Sequence, residues 1–323
     1  MPRDLTALAG GVGAARMLRG LTQVLDPAEI TAVVNTADDV VLHGLHVSPD
    51  LDTVTYTLAE AIDPERGWGL AGETWTVMDA LARYPAVAPD ESSAGQSWFR
   101  LGDRDLATHL YRTQRLAEHA TLSEVTAEVA RAWNVPVRLL PMSDGRVETR
   151  LTVPGPDPAT SEEIGFQEYF VGRHHTVPVM ALRFAGVEEC VPAPGVLQSL
   201  ASARRLLICP SNPIVSIAPI LAVPGVAQAV ADRRRDVVAV SPIIAGAAVR
   251  GPADRLMTEL GHDASVVGVA RLYSPYVSTL VVDEADAHHA AAVEAEGLRC
   301  VVAPTLMTGP AEAAALARTV LAA

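Results

Sequence analysis

The feature that most constrains the fold is a short apolar segment that ends in a glycine turn and continues as an amphipathic segment. Residues 5–9 (LTALA) precede Gly10-Gly11-Val12-Gly13, and the residues that follow place apolar side chains at helical spacing. A second apolar segment, residues 30–34 (ITAVV), comes next. A strand, a tight turn, a helix and another strand in this order predict a parallel βαβ unit.

The same alternation returns in the C-terminal part of the chain. Short strands are predicted at 205–209, 236–240, 278–282 and 299–303, with helices near 225–232, 252–260, 286–296 and 310–322. Buried strands that alternate with helices are typical of a parallel sheet covered on both faces. We therefore predict an α/β fold with a Rossmann-like, doubly wound, mostly parallel sheet built from both ends of the chain.

The middle of the chain has a different pattern. Helices are predicted at 51–62, 72–84, 103–117 and 121–133, and short strands at 137–140, 147–153, 166–171 and 178–184, with a polar loop at 154–165. Residues 1–65 and 190–323 are thus expected to form a Rossmann-like nucleotide-binding core. Residues 66–189 are expected to form a helical and antiparallel insertion.

The charged residues exclude several classes of function. The chain has 25 basic and 38 acidic residues, a net charge of −13, and every basic residue is arginine. An acidic chain of this kind is not expected to bind nucleic acid or a membrane surface. Without lysine there is no Schiff-base catalysis and no lysine-type phosphate loop. Anionic substrates must be held by arginine, by backbone N–H groups or through a metal ion.

The cysteines and the N-terminal residues point to a location. Cys190, Cys209 and Cys300 have no CxxC spacing, so a zinc site is not expected, and an odd number of thiols suits a reducing compartment. The sequence starts without a signal-peptide pattern, and it lacks an apolar stretch of about 20 residues that would span a membrane. We expect a cytoplasmic protein.

The glycine turn has two interpretations. Glycines between a strand and a helix let the backbone approach a phosphate at the helix N-terminus. The same residues would also suit a tight structural turn. The pattern is shorter than GxGxxG, and Asn35 follows the second strand where NAD-binding proteins carry an acidic residue.

Four aspartates lie at strand ends or at a helix start near this turn. They are Asp38, Asp39, Asp50 and Asp52. Carboxylates beside a phosphate are typical ligands of Mg²⁺. The alternative is that Asp50 caps a helix and the others are surface charges.

A third segment, Trp98 to Asp105, mixes aromatic, basic and acidic residues around one glycine. It would suit stacking and hydrogen bonding to a flat heteroaromatic ligand. Alternatively, Asp103 caps the next helix and Trp98 belongs to the core. His109 and Arg112 share a helical face with Asp105, an arrangement that is more often structural than catalytic.

Two polar turns follow strands of the C-terminal series. Cys209-Pro210-Ser211-Asn212-Pro213 offers an amide for a base edge and a hydroxyl for a phosphate, and residues 241–246 (SPIIAG) follow the next strand. No nucleophile with a neighbouring base stands out. The sequence therefore favours direct group transfer with electrostatic stabilisation.

These segments together resemble the 2-phospho-L-lactate transferase family, which includes the FbiA-type phosphoenolpyruvyl transferases of coenzyme F-420 biosynthesis. The resemblance runs in order from residue 8 to about residue 309, and it rests on GGVGAAR, NTADD, HGL, SPDLDTVTYTL, GWGLAGETW, WFRLGDRDLATHLYRTQ, LLPMSDGRVET, FQEYFV, PSNPIVSI, AVSPIIAG and TLMT.

The resemblance implies a Mg²⁺-dependent transferase of the EC 2.7.8 class. It would move a phosphoenolpyruvyl or phospholactyl group, or a phosphoglyceryl group, from a guanosine diphosphate-activated donor to the terminal ribityl hydroxyl of the deazaflavin FO. GMP would leave, and (dehydro) coenzyme F-420-0 would form. A homodimer is expected, with the insertion covering the acceptor pocket.

The resemblance also carries roles onto residues of this chain. Gly11 and Gly13 are expected at the pyrophosphate, and Ser211 and Asn212 on the guanosine side. Mg²⁺ is expected on Asp38, Asp50 and Asp52, and Asp50 or Asp52 would accept the proton of the FO hydroxyl. Arg100 and Trp98 are expected to contact FO.

Three other functions stay open at this point. A nucleotide-sugar-binding regulatory protein would share the fold, the glycine turn and the strand-end loops, but not the segments on the FO side. An NAD(P)-dependent oxidoreductase is disfavoured by Asn35. A pure interaction module does not explain so many polar turns at strand ends.

Overall fold

The computed structural model describes residues 4–89, 92–157 and 159–323. Within these ranges the strands are β1 (Leu5–Ala9), β2 (Ile30–Val34), β3 (Val40–Leu42), β4 (Leu45–Val47), β5 (Arg138–Pro141), β6 (Glu148–Pro154), β7 (Ser161–Gly165), β8 (Ala181–Ala185), β9 (Arg205–Ile208), β10 (Val237–Val240), β11 (Ile243–Ile244), β12 (Ala247–Ala248), β13 (Thr279–Val282) and β14 (Arg299–Val302). Residues 1–3 of the predicted core and Pro158 of the predicted loop lie outside the described residues.

The helices of the described ranges are α1 (Gly11–Leu21), α2 (Pro49–Leu58), α3 (Thr76–Leu81), α4 (Asp105–Ala117), α5 (Leu122–Ala132), α6 (Val196–Ser202), α7 (Ala218–Ala222), α8 (Val226–Ala231), α9 (Ala253–Glu259), α10 (Val266–Tyr273), α11 (Ala290–Ala295) and α12 (Pro310–Ala322). Two π-helical segments, Glu168–Gly172 and Pro213–Ile217, add to these. Among the residues described, none of the helices combines the length and the apolar character that crossing a bilayer requires.

The central sheet of the described chain has seven strands in the order β14-β13-β10-β9-β1-β2-β5, and all neighbouring strands are parallel. The chain begins at β1, moves outward through β2 to β5, and then returns to β9 on the other side of β1. The direction of winding changes between β1 and β9, so a crevice opens beyond their carboxyl ends. The predicted Rossmann-like, doubly wound α/β fold is confirmed.

The sheet is covered on both faces because its strands are apolar on both. In β1, Leu5, Ala7 and Ala9 pack against the face that α1 and α12 cover, whereas Leu8 packs with the cluster on the other face. The second face is covered mainly by α6, α8, α9 and α10. Two buried faces explain why the strands read as continuous apolar runs in the sequence.

The predicted boundaries of the insertion differ from the structure in one strand. Residues 148–185 include the antiparallel sheet β7-β6-β8, as expected of the insertion. However, β5 lies within the predicted insertion at 66–189 and pairs in parallel with β2 at the edge of the central sheet. When a four-residue edge strand follows a long helical stretch, its sequence does not indicate which sheet it joins.

One predicted strand, at 166–171, is wrong. Glu168–Gly172 is π-helical instead, and Tyr169 is fully buried. Phe166 stacks on Phe170 with ring centroids 5.6 Å apart, and it lies 6.3 Å from the Tyr169 ring. Aromatic residues three and four positions apart meet on one side of a helical turn, which is the spacing these residues have. Part of the predicted loop at 154–165 forms β7.

Helix α1 depends on a glycine where it crosses α12. A Cβ atom built on Gly20 would lie 2.3 Å from the carbonyl oxygen of Ala313 and 2.9 Å from the Ala313 Cβ. Gly20 therefore sets how closely α12 approaches α1, the helix that follows the glycine turn.

We expect Gly20→Ala to destabilise the protein by about 1–3 kcal/mol, because the backbone of α12 must move to admit the methyl group. Gly165→Ala is the matched control, since its Cβ would come within 3.4 Å only of the Glu148 carboxyl group, which is the end of a flexible side chain. Thermal unfolding of both variants beside the parent protein measures the difference. Equal melting temperatures for the two variants would contradict the close approach.

Candidate active site

A cavity of about 500 Å³ opens at the change in winding direction. Five strand ends contribute to its lining, namely Gly10–Gly13 after β1, Asp38 after β2, Pro210–Asn212 after β9, Ser241–Pro242 after β10 and Thr305–Met307 after β14. The polar turns that the sequence placed after strands come together at this edge of the sheet. A cavity of this size lies within the range of small-molecule sites.

The glycine turn directs the N-terminus of α1 into the cavity. Gly11 has a positive φ of 71°, and its N–H donates to Asp50 Oδ1 at 2.7 Å. A Cβ on Gly13 would lie 2.1 Å from the carbonyl oxygen of Pro210. Gly11 is thus required by its backbone conformation and Gly13 by the closeness of the next loop, and both still line the cavity.

The Ser-Asn loop after β9 packs against this turn. Ser211 Oγ accepts a hydrogen bond from the Gly10 N–H at 3.3 Å. Asn212 Oδ1 caps the π-helical segment that follows, accepting from Ile214 N at 2.9 Å and Val215 N at 3.4 Å. Because the carbonyl of Asn212 serves its own loop, its amide nitrogen is the group left to meet a ligand.

Three of the four predicted aspartates form a buried cluster. The Asn35 side-chain amide donates one hydrogen bond to Asp38 Oδ1 and another to Asp50 Oδ2 at 3.0 Å. Asp39 Oδ2 accepts from Ser48 Oγ at 2.6 Å, and Asp39 Oδ1 is buried with no partner among the described residues. Asp50 does not cap its own helix α2, because its carboxylate reaches across to Gly11.

Burial shifts the acidity of this cluster. Desolvation raises the pKa of Asp39 to about 8 and that of Asp50 to about 6. For Asp38, desolvation acts together with the charges of Asp50 and Asp39 and raises the pKa well above its ordinary value. Asp38 and Asp50 form no ion pair with any residue the structure describes, so the described part of the chain supplies no counter-ion for a negative charge on them.

The fourth aspartate, Asp52, belongs to a different network. Its two oxygens accept hydrogen bonds from the buried Arg112, and Oδ2 lies 3.7 Å from His109 Nδ1. His109 Nε2 is 3.3 Å from Asp105 Oδ2, and the Tyr56 hydroxyl donates to Asp105 Oδ1 at 2.5 Å. Burial opposes ionisation of Asp105, but the contacts with His109, Tyr56 and Arg112 lower its pKa overall.

The sequence did not predict that Asp52 belongs to this network. Asp52, Asp105 and His109 each place one possible metal-ligand atom within 4.8 Å of the others. The guanidinium of Arg112 already neutralises Asp52, which disfavours a cation there. The shared helical face of Asp105, His109 and Arg112 was visible in the sequence, but its packing against Asp52 is a long-range contact.

Four aromatic side chains line the cavity. They are Trp68, Phe99, Phe166 and Phe170. Arg100 also lines the cavity, with its Nη2 atom 2.5 Å from Asp79 Oδ1. Trp98 does not join them, because it packs against Phe99 and over Gly172 and lines a separate cleft of about 230 Å³.

Four arginines line the cavity, of which only Arg100 was singled out from the sequence. The others are Arg16, Arg66 and Arg250. The absence of lysine was the signal that could have drawn attention to them, since every cationic contact to an anion must then come from arginine. Their distances along the chain gave no sign that they would meet.

Comparison with known proteins identifies similar chains. Residues 5–306 match the family model described as 2-phospho-L-lactate transferase CofD. A protein of Kitasatospora aureofaciens named phosphoenolpyruvate transferase is 48% identical over 320 residues, which cover 98% of this chain and 97% of that protein. A protein of the same name from Streptomyces coelicolor is 43% identical over 318 residues, covering 98% and 97%.

Solved structures support the fold. Two crystal structures of a UPF0052-family protein from Bacillus halodurans superpose with TM-scores of 0.60 and 0.58 at 16% identity. They cover 99% of this chain and 100% and 99% of theirs. At this identity the likeness concerns the architecture alone.

The raised pKa of Asp39 predicts a pH-dependent stability. Between about pH 4 and pH 8 the unfolded chain has already released this proton while the folded protein retains it, so stability falls as the pH rises through that window. In buffer free of divalent cations, Asp39→Asn should remove this part of the decline and melt several degrees higher than the parent at pH 8. The exposed Asp232→Asn is the control, and parallel pH curves for the parent and Asp39→Asn would contradict the shift.

Proposed function

The chain belongs to the 2-phospho-L-lactate transferase CofD family, and on that premise we propose that it transfers a phosphoenolpyruvyl or phospholactyl group from a guanosine diphosphate-activated donor to the deazaflavin FO. The terminal ribityl hydroxyl of FO attacks the phosphorus atom that bears the carboxylate-containing group, and the bond from this phosphorus to the GMP phosphate breaks. A phosphodiester bond forms, GMP leaves, and the hydroxyl proton passes to a base. This is an EC 2.7.8-type reaction.

The observation that carries the proposal is the pair of buried carboxylates at the glycine turn. Asp38 and Asp50 share one amide donor, Asn35, and no described cation neutralises them. Two carboxylates buried without a counter-ion are costly unless a cation joins them. The donor set therefore fits Mg²⁺, which prefers carboxylate oxygens and usually binds substrate phosphates as well.

We assign the Mg²⁺ ion to Asp38 and Asp50. When bound, it would offset the negative charge of the donor's diphosphate. Asp52, also expected to bind the ion, fits less well, because the buried guanidinium group of Arg112 already neutralises its charge. Asp52 instead holds Arg112 and His109 in place beside the cavity.

Asp50 also fits the proton-accepting role better than Asp52 does. In the protein without a bound metal, burial raises its pKa to about 6, and an Asp50 oxygen that does not bind Mg²⁺ would take up the hydroxyl proton. Its two oxygens are fixed by Gly11 and Asn35, which orients the carboxylate before a substrate arrives. The carboxylate of Asp52 is instead ion-paired with Arg112.

The glycine turn and the Ser-Asn loop would hold the donor. The N-terminus of α1 offers backbone N–H groups and positive potential to a diphosphate. The hydroxyl of Ser211 already bonds Gly10, so this loop and the turn form one continuous wall. On this wall the amide nitrogen of Asn212 would face the guanosine side.

The aromatic part of the cavity would hold FO. Trp68 and Phe99 supply flat apolar surface beside Arg100, and the deazaflavin ring is a flat heteroaromatic system. Arg100 lies over the Trp75 ring at 5.4 Å, which steadies its guanidinium at the rim. The separate position of Trp98 makes its predicted contact with FO indirect, through Phe99.

We propose that the enzyme acts in the cytoplasm as a homodimer. The three cysteines are unpaired, which supports a reducing compartment. The homodimer rests on the family resemblance alone, and light scattering of the purified protein would test it.

The decisive experiment offers FO and each activated donor to the purified protein with Mg²⁺ and follows the product by mass. Formation of the phosphodiester with release of GMP supports the proposal and identifies the phosphoacid. If FO neither binds nor reacts while a nucleotide sugar binds, the proposal fails and the regulatory nucleotide-sugar protein takes its place.

We expect Asp50→Asn to lower the transfer rate at least about 100-fold, because the variant loses the charge that binds Mg²⁺ and accepts the proton. Asparagine keeps an oxygen for the Gly11 N–H, so the turn should survive. Mn²⁺ affinity and the pH dependence of residual activity separate the two roles. Asp263→Asn, at a position outside the cavity lining, is the control, and full activity of Asp50→Asn would refute the assignment.

We expect Arg100→Ala to weaken FO binding about tenfold, through loss of hydrogen bonds and of a charged group beside the ring. The intrinsic fluorescence of FO gives the dissociation constant directly. Arg104→Ala is the matched control, because Arg104 lies four residues away and does not line the cavity. Equal affinities in the two variants would remove Arg100 from the acceptor site.

A further inference from the structure

The four arginines that line the cavity divide into two kinds. Arg66 pairs with Asp63 at 2.9 Å, and Arg100 pairs with Asp79 at 2.5 Å. Arg16 and Arg250 have no carboxylate partner within the described ranges of the chain. Among the residues described, their side chains donate hydrogen bonds to backbone carbonyl oxygens only.

The two unpaired guanidinium groups are held in place even so. Arg16 Nη1 donates to Met307 O at 3.1 Å, and Arg250 Nη1 donates to Arg66 O at 2.6 Å. Carbonyl oxygens orient a guanidinium group but carry no full charge to neutralise it. The positive charges are therefore positioned and left uncompensated.

Both groups lie near the glycine turn. Arg16 stands three residues after Gly13 on α1. A Cβ built on Gly67 would lie 2.6 Å from Arg250 Nη1 and 3.3 Å from Val12 Cγ1, so the Arg250 guanidinium lies beside the turn itself.

The two charges also act on each other. Burial and the nearby charge of Arg250 lower the pKa of Arg16. Two cations that repel each other in a cavity are stabilised when an anion binds between them. Arg16 and Arg250 thus bring two unneutralised positive charges to the lining of one cavity, in a chain whose net charge is −13.

We propose that Arg16 and Arg250, together with the N-terminus of α1, form an oxyanion subsite that binds a phosphate or the carboxylate of the donor. The inference rests on the proposed function, because it names the residues that recognise the charged part of that donor. A guanidinium group forms paired hydrogen bonds with either oxyanion. Whether the phosphate or the carboxylate occupies the subsite is decided by comparing two ligands.

Arg250 has a second role that bears on the test. Through Arg66 O and Glu65 O it anchors the loop that carries Trp68, part of the aromatic lining. A change at Arg250 can therefore disturb FO binding as well. Arg16 instead donates to Met307 O and forms no hydrogen bond with this loop in the described part of the chain, so its variant gives the cleaner result.

The experiment measures binding of GDP and of the GDP-activated donor by calorimetry, in the presence of Mg²⁺, to the full-length protein. Arg16→Gln and Arg250→Gln remove the charges, and Arg16→Lys restores a charge without the paired geometry. Arg19→Gln is the matched control, since Arg19 lies one turn further along α1, pairs with Glu60 at 3.7 Å and does not line the cavity.

We expect each glutamine variant to bind the donor at least about tenfold more weakly than Arg19→Gln does, with partial recovery in Arg16→Lys. Equal losses for GDP and donor place a phosphate in the subsite, and a loss for the donor alone places the carboxylate there. Donor and GDP affinities equal to those of Arg19→Gln in both glutamine variants would overturn the subsite. The melting temperature of each variant shows whether it is folded.

The outcomes for the subsite and for the overall function are separate. A parent protein that binds GDP through these arginines but makes no product with FO would overturn the proposed function and leave the subsite standing. A parent protein that makes product while the glutamine variants keep full affinity would do the reverse.

Discussion

The hydrogen bond from the Gly11 N–H to Asp50 joins the two helices that meet where the sheet changes its winding direction. It fixes a carboxylate of α2 against the first turn of α1, and Asn35, at the end of β2, holds the other oxygen. Three secondary-structure elements thus converge on one buried charge. Desolvation disfavours the ionised form of Asp50, so a negative charge here is unfavourable unless a cation binds beside it. This is also the place where the polar turns meet.

The charged side chains around the cavity are only partly neutralised by one another. Arg112 neutralises Asp52, but no described cation reaches Asp38 or Asp50. Arg16 and Arg250 carry the opposite imbalance at the same cavity. One side of the cavity has a carboxylate that accepts two hydrogen bonds, and the other has guanidinium groups that donate to backbone carbonyl oxygens. This arrangement suits a ligand that brings both a cation and an anion, as a Mg²⁺-bound diphosphate does.

The sequence predicted the sheet well because its information is local. The glycine turn and the runs at β1, β2, β9, β10, β13 and β14 each carry their own signal of strand and helix. The edge strand β5 was predicted as a strand but placed in the insertion, because its partner β2 is distant in the chain. The segment Glu168–Gly172 was predicted as a strand and is π-helical, because its apolar spacing is irregular. The pairing of β5 with β2 is a tertiary fact that no window of sequence contains.

The site follows the same division. Gly11, Gly13, Ser211 and Asp38 could be named from their positions after parallel strands, because a parallel sheet brings those strand ends to one edge, and Asp50 from its place at a helix start near the glycine turn. Trp98 was predicted to contact FO because it stands next to Phe99 and Arg100 in the sequence. Phe99 and Arg100 line the cavity, whereas Trp98 lines another cleft. Arg250 lies 234 residues after Arg16, and its guanidinium group is held at the cavity by hydrogen bonds to Glu65 O and Arg66 O. Strand ends can thus be predicted to meet, whereas the cations that complete the cavity depend on contacts between loops that are distant in the chain.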